Sequence, residues 1–588
     1  MAEPRVILDD ATPGRERLTR FTGLRSVISA TRPEEVADAL AAIERARNCG
    51  RFVAGIFSYE LGYLLERRLR GLLPSRRAVP LLWFGAFDRA EACDARVLES
   101  AGRAYAGPLR HEWDAEDYGE RFRHVHDYVA AGDIYQANLS FRSRFAFAGD
   151  PLALYRQLRA RSAAAHGAFI DDGERQILSF SPELFFDLTP DGQLTAKPMK
   201  GTIARGSDPQ SDAETRAALA ASVKDRAENL MIVDLLRNDL GRIAEIGSVR
   251  VEDLFAVETY PTLHTMVSTV KAQLKSGSDV ATIVRALFPC GSITGAPKIR
   301  AMEIIRELEA SPRGVYCGAI GYFAPDGSAR FNVAIRTLTI RGGAGELGIG
   351  GAVVQDSASG AEYDECLLKA RYYEAARRPL ELIETLRWLP DKGFVRLELH
   401  LARMARSAEF FGMAFDREEA LRSLEEVAAS EHDLRVRLTL NECGEFRCTT
   451  APLGKTQTRW TYAVSPQRVQ SGDALARHKT SWREFWDDEQ ARLSQETGCD
   501  ETIFLNERGE IAEGSRSNVF VGRGSVLLTP PLSAGILDGC LRRELLDQGK
   551  CREAVLMLSD LEKGEVFLGN SLRGLIRAVP VKQEAEVA

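Results

Sequence analysis

The chain of 588 residues is too long for one hydrophobic core and implies two or more domains. Its 45% apolar and 27% charged content is ordinary for globular protein, and a formal charge of −7 with interspersed signs argues against nucleic acid or an anionic membrane as the main partner. No apolar stretch is long enough to span a bilayer, the first ten residues lack a basic-then-apolar signal pattern, and the ten cysteines form no CxxC pairs, so a reducing cytoplasm is the expected home, with neither a zinc site nor a disulfide framework.

In chain order, 51–59 reads as a strand. Tyr118, Phe122, Val125 and Val129 recur at helical spacing up to Gly132, and 134–145 alternates as a strand. Pro198-Met199-Lys200-Gly201-Thr202 sets a lysine between an X-Pro break and a Gly-Thr turn. Partial burial there would lower the pKa of its amine and free a nucleophile, although such a lysine alone is ordinarily a solvated loop residue. A helix over 226–241 starts beside Glu228 and carries an apolar stripe through Leu230, Val233, Leu236 and Leu240. The run GSITGAPK at 291–298 offers glycine N–H groups to an anion, with Pro297 suited to a first helical turn. It is not a Walker motif, because no lysine follows the second glycine directly.

Further on, 314–323 and 330–340 read as strands joined by an Asp326-Gly327 turn, with a third strand at 346–354. A helix over 361–378 stops at Pro379. On it Glu362, Glu365 and Lys369 share one face, so two carboxylates suit a hard divalent cation and the lysine a substrate carboxylate. The plain alternative is a Ser359-x-x-Glu362 capping box and a Glu365–Lys369 surface ion pair. Magnesium takes only one or two protein carboxylates, so Glu228 with Glu365 meets its demand. After Pro379 the pattern restarts with a strand at 380–389, a turn at 390–393 and a helix at 400–411. This places the boundary near 377–381 and the domains at 1–377 and 378–588. The second half carries His478-Lys479-Thr480 and, further on, Glu513; Trp482, Phe485 and Trp486 read as core or as pocket wall.

The motifs SPELF (181–185), PMKGT (198–202), ENLMIVDLLRNDLGRI (228–243), HTMVSTV (264–270), GSITGAPKIRAMEII (291–305), FNVAIRT (331–337) and EYDECLLKA (362–370) together resemble the chorismate-utilising enzymes. The resemblance covers roughly residues 50–375. It implies an α/β (α+β) fold, a sandwich of two antiparallel sheets flanked by helices with the site between the sheets. Lys200 matches the lysine of the branch that aminates ring carbon 4, whereas anthranilate-forming members look like PIAGT there. Gln136 stands where water-adding members carry a lysine. The resemblance further implies that Lys200 is the nucleophile, Glu183 the general acid/base, and His264 a catalytic neighbour of the ring. It makes Glu228, Glu365 and the adjacent Glu362 the magnesium site, and Tyr316, Arg336, Lys369 and Gly295 substrate-binding groups.

HLARMARSA (400–408), HKT (478–480), DETIFLNERGEIAEGSRSNVF (500–520), GILDGCLRREL (535–545) and EVFLGNS (565–571) resemble the fold-type IV pyridoxal-phosphate enzymes over roughly 378–585. By that resemblance Lys479 bonds covalently to pyridoxal phosphate and later acts as base, and Glu513 pairs with its ring nitrogen. Arg403, Ser571 and the backbone of Cys540 and Leu541 hold its phosphate; Leu541 departs from a threonine common in transaminases. The motifs do not separate lyase from transaminase. The pairing of the two halves does, implying that chorismate is aminated and then loses pyruvate to give 4-aminobenzoate for folate. The competing expectations are an anthranilate synthase-like half fused to a branched-chain or D-amino-acid-type transaminase, or a dead scaffold. No glutaminase run GxCxGxQ occurs, so a separate glutamine amidotransferase subunit is expected to supply ammonia. The resemblance also allows a homodimer through the C-terminal half.

Overall fold

The computed structural model describes residues 3–581 apart from 101, 260–262, 428–429, 455–456 and 525. Its contacts divide the chain into two compact units. One comprises Met1–Glu99, Leu109–Phe145 and Pro151–Ala376; the other comprises Ser100–Pro108, Ala146–Asp150 and Arg377–Ala588.

In the first unit every strand pair described is antiparallel, and the ladders run continuously from one strand to the next. From Thr337–Arg341 the order passes through Gln176–Ser181, His166–Asp171, Arg5–Asp10, Arg17–Ala30, Leu82–Cys93, Phe52–Phe57, Ala319–Phe323, Ala329–Val333, Leu184–Leu188 and Gln193–Lys197 to Leu263–Gln273. The two sheets expected are therefore joined edge to edge. Period-2 alternation builds a core on each face: Val53 and Phe57 join one apolar cluster, and their neighbours Ala54 and Ile56 join another.

The helices follow from caps and stripes. Ala115–Ala130 starts where the Asp114 side chain accepts the N–H groups of Glu116 and Asp117, and it buries Tyr118, Phe122 and Val125. Val223–Gly241 is capped by Ser222 and buries Asn229, Ile232, Val233, Leu236 and Leu240. Leu230, expected on that stripe, is 44% exposed, because the buried face is turned one residue to Asn229. The strand expected over 330–340 is two strands, Ala329–Val333 and Thr337–Arg341, since Arg336 takes a left-handed φ of 49° and breaks the ladder. GSITGAPK is also altered: Gly295–Ala296 is a short strand paired with Gln136–Ala137, so that backbone is already engaged, and Pro297 is the N-cap of the helix Lys298–Leu308.

The second unit holds a small antiparallel sheet of Gly393–Phe394, Leu382–Leu389, Leu434–Leu440 and Phe446–Pro452. Six further strands close on themselves through the Glu513–Asn518 pair, with Arg459–Val469 parallel to both of its neighbours. Among the described residues no helix is long and apolar enough to cross a membrane.

One buried cation ties the first unit together. Arg313 is 2% exposed, pairs with Glu309 at 2.6 Å, donates to the carbonyls of Ile293 and Asn138, and lies 4.6 Å from the Tyr59 ring centroid. Arg313→Ala leaves Glu309 buried and unpaired, so it should cost about 3–5 kcal/mol, read as a lowered urea midpoint.

Candidate active sites

In the first unit Lys200 lies on the strand Met199–Ala204, opposite Met266. The register then slips at Gly201, whose φ is +76° and where a Cβ would lie 2.6 Å from the Asp225 carboxylate. Only glycine lets this strand approach the helix that carries Glu228 so closely. The Lys200 amine makes no hydrogen bond or ion pair among the described residues. Burial lowers its pKa; Glu228, Glu183 and Glu365 act in the opposite sense, and Lys369 adds to the lowering. These four groups thus converge electrostatically on one amine.

Each is held differently. Glu183 is 5% exposed, with one carboxylate oxygen lacking a partner. Burial pushes its pKa up to about 7, against the Ser292 hydroxyl, Lys200 and the Met199 N–H. Burial also raises Glu228, whose nearest cation in an ion pair is Lys224 at 4.0 Å. Glu365 lies below its ordinary value, because Lys369 and Lys200 outweigh the effect of burial. Lys369 pairs with Glu365 at 2.9 Å, as a plain surface helix would have it, and also donates to the Gly350 carbonyl. Glu362 is buried and accepts from the Ser357 hydroxyl at 2.7 Å. A Cβ on Gly351 would lie 3.5 Å from Glu362 and 3.6 Å from the Lys369 amine, so the missing side chain leaves room between a carboxylate and an ammonium.

The remaining expected residues have other neighbours. Both ring nitrogens of His264 are engaged, by Thr259 and by Asp212 at 2.9 Å each. Tyr316 lies flat over Gly348. Arg336 has no carboxylate partner among the described residues; burial lowers its pKa, with Tyr372 beside it, whose own buried hydroxyl lacks a partner. A desolvated, unpaired guanidinium is a binding group for an anion. Gln136, fully buried, has both amide atoms unpartnered. Ser292 was not singled out from sequence; its only signal was its place in the glycine-rich run.

The donors suit magnesium: hard carboxylate oxygens on a half-buried Glu228, whose paired cation is 4.0 Å away, and on an exposed Glu365 paired with Lys369. Among the described residues the one tight group of three ligating side chains is Glu384, His400 and Cys540 in the second unit, where Arg403 already neutralises Glu384.

The second unit contains a cavity of about 1050 Å³ that Lys479, Glu513, Arg403, Cys540 and Ser571 all line. Burial, with Arg403 and Arg483, lowers Lys479 to about 8 against the pull of Glu384, and its amine donates to the Thr385 hydroxyl at 3.2 Å. Thr385 was not anticipated from sequence, because its role depends on the strand Leu382–Leu389 passing the lysine. Glu513 sits where the ring of strands closes. Burial pushes it up to about 7, and it accepts the Leu537 N–H at 2.9 Å. Arg403 is 6% exposed and spends three of its five donors on Glu384 and the Asp538 carbonyl, leaving two. His400 bridges Glu384 and the Ser571 hydroxyl at 2.6 and 2.7 Å. Cys540 opens the helix Cys540–Asp547 after Gly539, with no side-chain cap on its first N–H groups. An uncapped helix start, a spare guanidinium edge, a poised amine and a buried carboxylate fit a phosphorylated pyridine aldehyde. Trp482 and Trp486 are both buried and on the cavity wall, while Phe485 is 36% exposed.

Residues 3–374 match the family model described as chorismate binding enzyme. The chain belongs to that family. Residues 381–581 match the model described as amino-transferase class IV. Aminodeoxychorismate synthase component 1 of Klebsiella aerogenes is 43% identical over 338 residues, 53% of this chain and 74% of the relative. The protein of the same description from Salmonella typhimurium is 47% identical, covering 53% and 73%. The Escherichia coli protein so described is 46% identical over 261 residues, covering 44% of this chain and 57% of the relative. Anthranilate synthase component I from Streptococcus pneumoniae shares the fold, with a TM-score of 0.51 and 24% identity over 63% of this chain and 92% of that one.

The raised carboxylates carry a pH dependence. Their folded pKa values exceed their unfolded ones, so between the ordinary carboxylate range and about pH 7 the folded chain holds protons that the unfolded chain releases. Stability therefore falls as pH rises through that window. Glu183→Gln should flatten part of this slope, measured as urea midpoints at about pH 5 and about pH 8.

Proposed function

We propose that the chain makes 4-aminobenzoate from chorismate, with the amination in the first unit and the removal of pyruvate in the second. What supports the first step is the unpaired Lys200 amine on a strand that slips in register where it approaches the helix of Glu228, together with the buried Glu183 carboxylate whose one oxygen has no partner. A lysine with a lowered pKa supplies the free amine needed to attack ring carbon 2 of chorismate. The allylic electron pair shifts, and the carbon-4 hydroxyl leaves as water on receiving a proton from Glu183, whose pKa near 7 keeps a protonated fraction available. Ammonia then bonds to carbon 4 as the Lys200–carbon bond breaks, so the net change is hydroxyl for amine with Lys200 regenerated. Arg336 and Lys369 would hold the substrate carboxylates. Glu228 and Glu365, with Glu362 beside them, would hold magnesium, which supplies positive charge to the dianion. The component 1 naming of the relatives supports a separate glutamine amidotransferase as the ammonia source. A cytoplasmic setting is the consistent one.

In the second unit Lys479, Glu513, Arg403, Ser571 and the N–H groups of Cys540 and Leu541 would hold pyridoxal phosphate, which supplies an electron sink. Thr385 holds the Lys479 amine, and Lys479 removes the ring proton beside the substrate's amine. The bond from the ring to the enolpyruvyl oxygen breaks, the ring becomes aromatic, and enolpyruvate takes the proton back from Lys479 to leave as pyruvate. The pairing of both sites in one chain supports a lyase, since a transaminase has no use for the amino-chorismate.

Two experiments test this reading. Supplied with chorismate, magnesium and ammonium, Lys200→Ala should lose amino-chorismate formation or divert it to anthranilate; undiminished 4-aminobenzoate synthesis overturns the assignment. Lys479→Ala should accumulate the amino-chorismate without pyruvate, whereas steady keto-acid-dependent transamination by the wild type refutes the lyase. Chelation by excess EDTA should stop the first step and leave the visible absorbance of the cofactor intact.

A further inference from the structure

Arg103 lines the cavity of the second unit, although it lies 376 residues before Lys479 and inside the segment that matches the chorismate-binding family. Its neighbours Ala104–Ala106 pair antiparallel with 147–149, forming a two-stranded ribbon that belongs to the C-terminal unit. The Asp150 N–H donates to the Arg103 carbonyl at 2.8 Å. Gly149, at φ +97°, passes so close to that carbonyl that a Cβ would collide with it. The ribbon is therefore fixed at its root.

It holds the lysine-bearing segment at two places. Arg103 donates to the Asp473 carboxylate through two nitrogens, at 2.9 and 2.7 Å, and its guanidinium lies 5.3 Å from the Trp486 ring centroid. Asp473 also accepts the Leu475 N–H at 2.9 Å, capping the short turn Ala474–Arg477 that runs directly into His478 and Lys479. Downstream of the lysine, the Tyr105 ring meets Trp482 at 6.1 Å and Phe411 at 4.9 Å, and Phe411 meets the His478 ring at 5.1 Å. The grip thus falls six residues before Lys479 and three residues after it. Between the two, the Lys479 carbonyl accepts the Ile383 N–H at 2.8 Å, so the backbone has little freedom left.

We propose that Arg103 and Tyr105 are positioning residues for Lys479, so that the pyruvate-releasing site is completed by a ribbon from far upstream in the chain. The proposal rests on the lyase reading for its activity readout only. A base displaced by about 1 Å from its proton can lose up to about a hundredfold in rate.

The test uses the full-length chain loaded with pyridoxal phosphate. Arg103→Gln and Asp473→Asn should each lower kcat for pyruvate release by about ten- to a hundredfold with little change in KM for the amino-chorismate. The double variant should be no worse than either single one, because both cut the same link. Arg103→Lys should recover part of the rate, as a cation without the fork. The circular dichroism of the cofactor's visible band, which reports its orientation, should change in Arg103→Gln and in Tyr105→Leu. Ammonia-dependent formation of the amino-chorismate should be unaffected. An unchanged kcat with an unchanged dichroic band overturns the proposal, as does a raised KM at constant kcat, which would make Arg103 a substrate-holding group. A wild type that releases no pyruvate refutes the lyase reading instead, and the dichroic band then decides on Arg103 alone.

Discussion

Desolvation of an amine is the constraint on which both units depend. A lysine in water is protonated and inert as a nucleophile; taken partly out of water it gives up its proton near neutral pH. Lys200 and Lys479 are both lowered chiefly by burial, and in both cases carboxylates nearby oppose the shift without cancelling it. The balance matters in each direction. A full ion pair would lock the amine as a cation, and an apolar wall alone would leave nothing to receive or return a proton. Beside Lys200 the complementary group is Glu183, pushed up to about 7 by the same burial, and the carboxylate that opposes the shift of Lys479 is Glu384.

The residues proposed for the two sites gather where regular structure is interrupted. Lys200 precedes a slip in register at Gly201, Arg336 projects from a left-handed residue between two strands, and Glu513 sits at the closing pair of a ring of strands. A regular ladder alternates side chains between two faces, so a bulge or a positive φ is what re-aims one of them out of the pattern. The continuous antiparallel ladder supplies rigidity, and the few breaks supply direction.

Much of this could be read from the sequence, and the exceptions have physical causes. The helix Ala115–Ala130 is plain from the spacing of Tyr118, Phe122 and Val125, because an apolar stripe is a local signal. Lys200, Glu183, Glu228 and Glu365 are recognisable because long motifs surround them, and the three carboxylates oppose the lowering of the lysine by burial. Leu230 misleads because the buried face of its helix admits Asn229, a polar residue held by Ser268. Nothing in FNVAIRT marks a left-handed arginine, since the chain around it supports that conformation. Thr385 and Arg103 are illegible for the same reason: their meaning is created by strands that meet only after folding.

The ribbon at 103–106 also sets an order of events during synthesis. It leaves the ribosome 271 residues ahead of Arg377, where the bulk of its own unit begins. At roughly 5–20 residues per second the interval is about 15–55 s. For that time Tyr105, a core residue of the C-terminal unit, lacks the apolar residues after Arg377 that cover it in the folded chain. The first unit can assemble while the chain is still being made, but the second must recover a piece synthesised before most of the first. The two units are thus bound by the path of the backbone, and a gene cut ahead of Arg377 would deliver the first unit whole and the second without its ribbon.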